Sequence, residues 1–464
     1  MPGVESTAQR VPAGTRRPVA SVLATCLAAT LAIVGCGNAS PPNPTWAGAT
    51  PAGTSAPDPS AIPSAVPSGR PSVVADSPTV AEIDRLTAAI KADPTDAEAQ
   101  RGLGFALMQR VRETADPSLY APAMAAFEAA LEAQPDDSMA LAGIAGVQLG
   151  RHEFGAALDS ANQAIELSPS LVPAHAARFD ALIELGRYEE ADTAAGVLLG
   201  LSVDLATLAR VSYLAELKGD LPVALAAMQR AARSPGLAPE NTAYVQALLG
   251  NLLIYSGDPR SAESAYEAAL ALVPDHAPSI AGLGRLAVGE GRVDDAITQF
   301  ERAAAIVPLP EYMVALGDAQ LAAGDASGSA RSFDVARAEI QLFKAAGVIV
   351  DVDLAVFEAD HGDPAAALDY AKAAHQTAAT VRSADAVAWA LHRLGRSMEA
   401  ADYAAEALRL GSIEPSLRYH AGAIAAALGD TTAARRDLTM ALSLDPGFSA
   451  VGASEARRLL DTLP

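Results

Sequence analysis

At 464 residues the chain is too long for one ordinary hydrophobic core, so several domains or a linear array are expected. Hydrophobic residues make up 50% of it and aromatics only 5%, with alanine dominant, which suits close-packed helices and argues against sheets lined with β-branched or aromatic side chains. A formal charge of -22 repels nucleic-acid phosphates and anionic headgroups, which excludes nucleic acid and leaves protein, peptide, cationic or neutral partners.

Arg10, Arg16 and Arg17 precede an apolar run from Val19 to Val34, followed by Gly35-Cys36 and an abrupt change to polar, Pro-rich chain. A charged region, an apolar region and a small-residue cleavage site make an export signal, and the run is shorter than the roughly 20 residues a stable membrane span needs. Ile33-Val34-Gly35-Cys36 resembles the bacterial lipobox. The resemblance implies that residues 1–35 are a lipoprotein signal peptide, that Cys36 becomes the first residue, and that its thiol carries the lipid. Two acyl chains there would hold the protein at the membrane, on its extracytoplasmic face. Thr15-Arg16-Arg17 leaves twin-arginine export open beside the general route. Cys26 is removed with the signal, so no cysteine remains for a disulfide or thiolate site.

Residues 36–78 read as a disordered tether: ten prolines fall between Gly37 and Pro78 among Ser, Ala, Thr and Gly, with no apolar stripe. From there a rhythm takes over. Gly-Arg or Gly-Asp pairs begin at Gly150, Gly186, Gly219, Gly257, Gly291, Gly324, Gly362, Gly395 and Gly429, at steps of 33 to 38 residues. A period in the thirties predicts stacked two-helix units, each glycine marking the corner between the helices of a hairpin, and an extended scaffold with a long surface. Five residues after most corners comes a small residue such as Ala191, Ala262 or Ala296, and twelve after comes Ala231, Ala269 or Ala303. Gly143, Gly250, Gly284, Gly317 and Gly422 stand seven before, so helices can approach closely. Pro274, Pro308 and Pro446 stop second helices.

Leu249, Gly250, Gly257, Ala262, Tyr266, Ala269 and Pro274, then Leu283, Gly284, Gly291, Ala296, Phe300, Ala303 and Pro308, resemble two consecutive tetratricopeptide repeats. An earlier unit, with Gly104, Ala123, Phe127, Ala130 and Pro135, resembles the repeat at both ends and holds a longer loop around residues 113–120. The resemblance implies an all-α fold, an α-solenoid of antiparallel helix hairpins in a right-handed superhelix. It spans residues 79–447, with residues 448–464 as a capping helix. It also implies a concave binding face, on which Tyr244, Asn251, Ile254, Arg285, Leu321, Trp389, His392 and Tyr419 fall. Trp389 is either the anchor for a partner or inter-repeat core.

Chemistry is not signalled. The seven histidines show no ligand spacing, there is no phosphate loop, and acids such as Glu189-Glu190 and Asp294-Asp295 sit where a helix start favours negative charge. No catalytic residue, metal or cofactor is expected. The expectation is a membrane-anchored extracytoplasmic scaffold for protein or peptide partners, in cell-envelope assembly. The alternatives are a solute-binding lipoprotein serving a transporter and an unrecognised enzyme.

Overall fold

The structure, a computed structural model, describes residues 77–464 except 235 and 237. Cys36, the apolar run and the tether before Ser77 lie outside the described residues. After α1 (Pro78–Ala92) come ten hairpins. The first five pair α2 (Ala97–Thr114) with α3 (Tyr120–Ala133), α4 (Ser138–Gly150) with α5 (Phe154–Leu167), α6 (Val172–Glu184) with α7 (Tyr188–Leu201), α8 (Leu205–Leu217) with α9 (Leu221–Ala232), and α10 (Pro239–Tyr255) with α11 (Pro259–Leu272). The next five pair α12 (Ala277–Gly289) with α13 (Val293–Ile306), α14 (Pro310–Ala322) with α15 (Ala326–Ala345), α16 (Asp351–His361) with α17 (Pro364–Thr377), α18 (Val381–Arg393) with α19 (Ser397–Ala407), and α20 (Pro415–Ala427) with α21 (Thr431–Leu444). α22 (Gly452–Thr462) follows, burying Gly452, Ala453 and Ala456 against the last hairpin. No strand occurs among the described residues. The fold is an all-α solenoid.

The corner dipeptides have two solutions for starting the second helix. In Gly-Asp corners the aspartate is the N-cap: Asp220, Asp258, Asp325, Asp363 and Asp430 each accept a hydrogen bond from a backbone N–H of the first turn. In Gly-Arg corners the arginine makes no such bond and instead grips an acid three residues on, as Arg187 does with Glu190, Arg292 with Asp295 and Arg396 with Glu399. Seven of the nine glycines take the left-handed conformation, with φ from 72° to 87°. Gly150 and Gly362 do not. Gly150 ends α4 against the Tyr120 ring, and His152 holds the corner with φ 61°, so the step to Gly186 becomes 34 residues, in line with its neighbours. Gly362 is itself the C-cap of α16, with φ of -142° rather than a left-handed value.

Small residues at the internal positions serve aromatic rings. Tyr266 lies between Gly250 and Gly282, where a Cβ at residue 282 would stand 2.5 Å from the ring, and Phe127 lies likewise between Gly104 and Gly143. The longer loop of the first hairpin contains a 3-10 turn, Pro117–Leu119.

The expected open scaffold is not what forms. One turn of the superhelix packs on the next, so the concave side faces inward. His152 Nδ1 donates to Ile349 O at 2.6 Å, Ile349 N to Arg151 O at 3.1 Å, and Val381 N to Tyr188 Oη at 3.1 Å. Backbone meets backbone where Gly186 abuts Ala379, Gly219 abuts Gly411, and Gly289 abuts Gly447. One core cluster joins Phe105, Phe127 and Val147 to Phe300, Ile340, Val348 and Phe357, bringing α2–α4 against α13–α16. Side-chain-free corners permit this approach, and the apolar area shared between turns stabilises it.

Candidate functional site

The inward faces enclose a cavity of about 1530 Å³. Its walls come mainly from the first helices of the hairpins, with Tyr120, Phe300, Tyr312, Phe343, Phe357 and Phe448 among the lining residues. Ser77, where the described chain begins, is also on the lining. A mostly apolar concavity with a few polar groups is the usual form of a ligand site.

The charged groups follow a pattern set by the repeats. Glu240, Glu311, Asp353 and Arg382 stand in the first turns of α10, α14, α16 and α18, and Glu414 is the N-cap of α20. All five line the cavity. Packing of the turns brings Glu184 and Glu216, from the last turns of α6 and α8, to the same region. Arg112 pairs with Glu240 at 3.1 Å, Arg285 pairs with the buried Asp445, and Arg382 stands 3.6 Å from Glu414. Glu184, Glu216, Glu311 and Asp353 have no ion pair among the described residues.

Acid is therefore in excess around Arg382. Burial pushes the Glu311 carboxyl up to about 8, against its own backbone hydrogen bond and reinforced by the Asp353 charge. Burial pushes Glu184 to about 7 against the pull of Arg382, and Glu216 to about 7 with help from Glu414. Asp353 and Glu414 are raised by burial despite Arg382. Burial opposes the Arg382 charge, yet Glu414, Tyr213, Glu184 and Asp353 hold its guanidinium above the usual range.

These carboxyls bind protons more tightly in the folded chain than in the unfolded one. Their contribution to stability is complete below the ordinary carboxyl range and is lost as pH rises through 7 and 8. The histidines depressed by burial, His276 to about 4 and His392 to about 4, act in the opposite sense but only below about pH 6.5. The melting temperature is thus expected to fall between about pH 6.5 and 8 and to level off above, and Glu311→Gln should shrink that fall; a flat profile in the parent protein would contradict the burial of these acids.

Of the concave-face residues expected from sequence, Tyr244, Asn251 and Arg285 line the cavity. Asn251 Oδ1 accepts from Tyr266 Oη at 2.7 Å, and Arg285 lies over the Tyr255 ring. The other five fall outside the lining. Trp389 is 2% exposed, donates from Nε1 to Asp360 Oδ1 at 2.8 Å and stacks on His420 at 4.0 Å. It belongs to the wall between repeats, with His392 stacked at 5.1 Å and Tyr419 at 5.5 Å. Ile254 is core beside Tyr255, Leu286 and Ile413, and Leu321 is half-buried near the end of α14. Cys36 lies outside the described residues. Sequence reasoning missed Asp353, Arg382, Glu414, Glu184 and Glu216. The available signal was Glu184 and Glu216 themselves, acids in the last turn of a helix, where the helix dipole disfavours negative charge.

His420 Nδ1 lies 2.8 Å from Asp385 Oδ2, an acid-histidine pair of the kind that serves catalysis. Its Nε2 is buried with no hydrogen-bond partner, so this pair is not joined to a hydroxyl or thiol that it could activate. No group of three or more His, Cys, Asp or Glu among them could hold a metal ion, and no described helix is long and apolar enough to cross a membrane.

The family model of the tetratricopeptide repeat matches residues 248–309 and, overlapping them, 281–342. That stretch, from α10 to α15, carries tetratricopeptide repeats. No curated protein matches the chain. Among solved structures, YrrB, a TPR protein with an unusual peptide-binding site, is 21% identical over 39% of this chain and 92% of its own, with a TM-score of 0.28. The human IFIT1 dimer with PPP-AAAA is 16% identical over 71% of this chain and 77% of its own, at 0.44. The TPR domain of P58(IPK) is 16% identical over 79% of this chain and 98% of its own, at 0.21.

Proposed function

We propose that this chain is a non-catalytic binding protein, lipid-anchored through Cys36 outside the cytoplasmic membrane of a bacterium, that takes an extended segment of a partner protein into its central cavity in the course of envelope assembly. The carrying observation is the cavity itself. Its 1530 Å³ exceeds the roughly 300–1,000 Å³ of small-molecule pockets, and the packing of one turn on the next narrows the concave side to a hollow rather than a broad groove. An extended chain is slender enough to enter and long enough to fill it.

Filling the cavity tests this. Ala315 is on the lining, and Ala315→Trp should weaken binding of peptides selected from a random library at least tenfold while helix content is unchanged. Equal binding by the variant would put the peptides elsewhere and remove the reading. A small apolar solute that binds the intact chain and is lost in the same variant, with no peptide selected, would support the solute-binding alternative.

The anchor is tested separately. Cys36→Ala should move the protein from the membrane fraction to the soluble extracytoplasmic fraction on centrifugation. Full retention of the variant with the membrane would mean that the thiol carries no anchor.

A further inference from the structure

The excess of acid in an otherwise apolar cavity narrows the kind of segment it suits. Glu311 and Asp353 stand on neighbouring first helices without an ion pair, and Arg382 is the guanidinium shared by Glu414, Glu184 and Asp353. A second feature concerns neutral groups. Tyr244 and His276, 8% and 5% exposed and both on the lining, carry an Oη and an Nε2 with no hydrogen-bond partner. Buried polar atoms are normally paired, and the N–H and C=O groups of an extended peptide are such partners, whereas a hydrocarbon offers none.

We propose that the cavity accepts an extended, largely apolar peptide segment bearing a single lysine or arginine, whose cation is received by Glu311 and Asp353 beside the Arg382–Glu414 pair. The proposal rests on reading the cavity as the ligand site and adds the chemistry of the ligand. A cation supplies the opposite charge these acids lack. A segment with an acidic residue would set a further carboxylate against Glu311 and Asp353, and a wholly apolar one would leave those acids unpaired in a drier site.

The test uses the intact chain and three fluorescent peptides, acetylated and amidated, identical in a leucine- and alanine-rich sequence except for a central lysine, norleucine or glutamate. Fluorescence anisotropy should give the lysine peptide at least a tenfold lower Kd than the norleucine peptide, with the glutamate peptide weakest. The Glu311→Gln/Asp353→Asn double variant keeps side-chain shape and removes the two carboxyls that can ionise beside a cation, and it should cut the lysine-to-norleucine ratio severalfold. Equal binding of the lysine and norleucine peptides, blocked by Ala315→Trp, would overturn the charge assignment and leave the cavity reading standing. Failure of all three peptides would overturn both, and displacement by dodecylamine alone would assign the acids to a small amine instead.

Discussion

Replacing Asp180 by alanine is expected to lower the unfolding free energy by about 3–5 kcal/mol. Asp180 on α6 is 6% exposed and Arg210 on α8 is 1% exposed. The guanidinium donates from Nε to Oδ1 at 2.8 Å and from Nη2 to Oδ2 at 2.7 Å, a two-pronged bond between the first helices of successive hairpins. Burial pushes the Asp180 carboxyl up even against the pull of Arg210, so desolvation consumes much of what the attraction returns. The large loss therefore comes from stranding the arginine without its carboxylate rather than from the pair's net worth. The double replacement Asp180→Leu/Arg210→Met should accordingly recover most of the loss. Urea unfolding of the three proteins measures this, and hydrogen exchange should show the weakening centred on α6–α9. A loss below about 1 kcal/mol for Asp180→Ala would mean that the buried charge is relieved by water or by a local shift.

Gly219→Ala is expected to be costlier than the same change at Gly291. Both glycines are corners in the left-handed conformation, with φ of 75° and 77°, so each substitution bears roughly 1–2 kcal/mol of backbone strain. They differ in what lies beyond. A Cβ at Gly291 meets open space, whereas at Gly219 it would overlap the carbonyl oxygen of Gly411 on the next superhelical turn. Backbone cannot step aside as a flexible side chain can, and overpacking of this kind adds about 1–3 kcal/mol. Because the contact holds one turn on another, the Gly219 variant should also show a larger radius of gyration by small-angle scattering, and the Gly291 variant should not. Identical melting and scattering for the two variants would refute the packing of the turns.

The hairpins were legible because their signals are local. A glycine at a corner, an alanine five residues on and a proline past the second helix each act within one or two helical turns, and Ala243 to Pro308 carries them without exception. The corner at Gly150 was misplaced because the residue that adopts the left-handed conformation is His152, and sequence favours glycine there. The candidate site was legible only in part. Tyr244, Asn251 and Arg285 sit on the inward face of helices whose register the repeat sets. Trp389 and Tyr419 share that register, yet they are drawn into the wall by contacts with Asp360 at the end of α16 and with Phe448 in the segment between α21 and α22.

Sequence by itself determined the helical hairpins, their order and their capping, since each depends on residues within about one repeat of each other. Only the tertiary structure decided that the superhelix packs turn on turn, and with that its concave face became a cavity. Contacts such as Tyr188 with Val381, 193 residues apart, set that closure. They depend on the summed small rotation from hairpin to hairpin, a quantity that no single repeat encodes and that every repeat alters slightly. The same accumulation gathers Glu184, Glu216, Asp353, Arg382 and Glu414 from five hairpins around one hollow, where their charges act on one another.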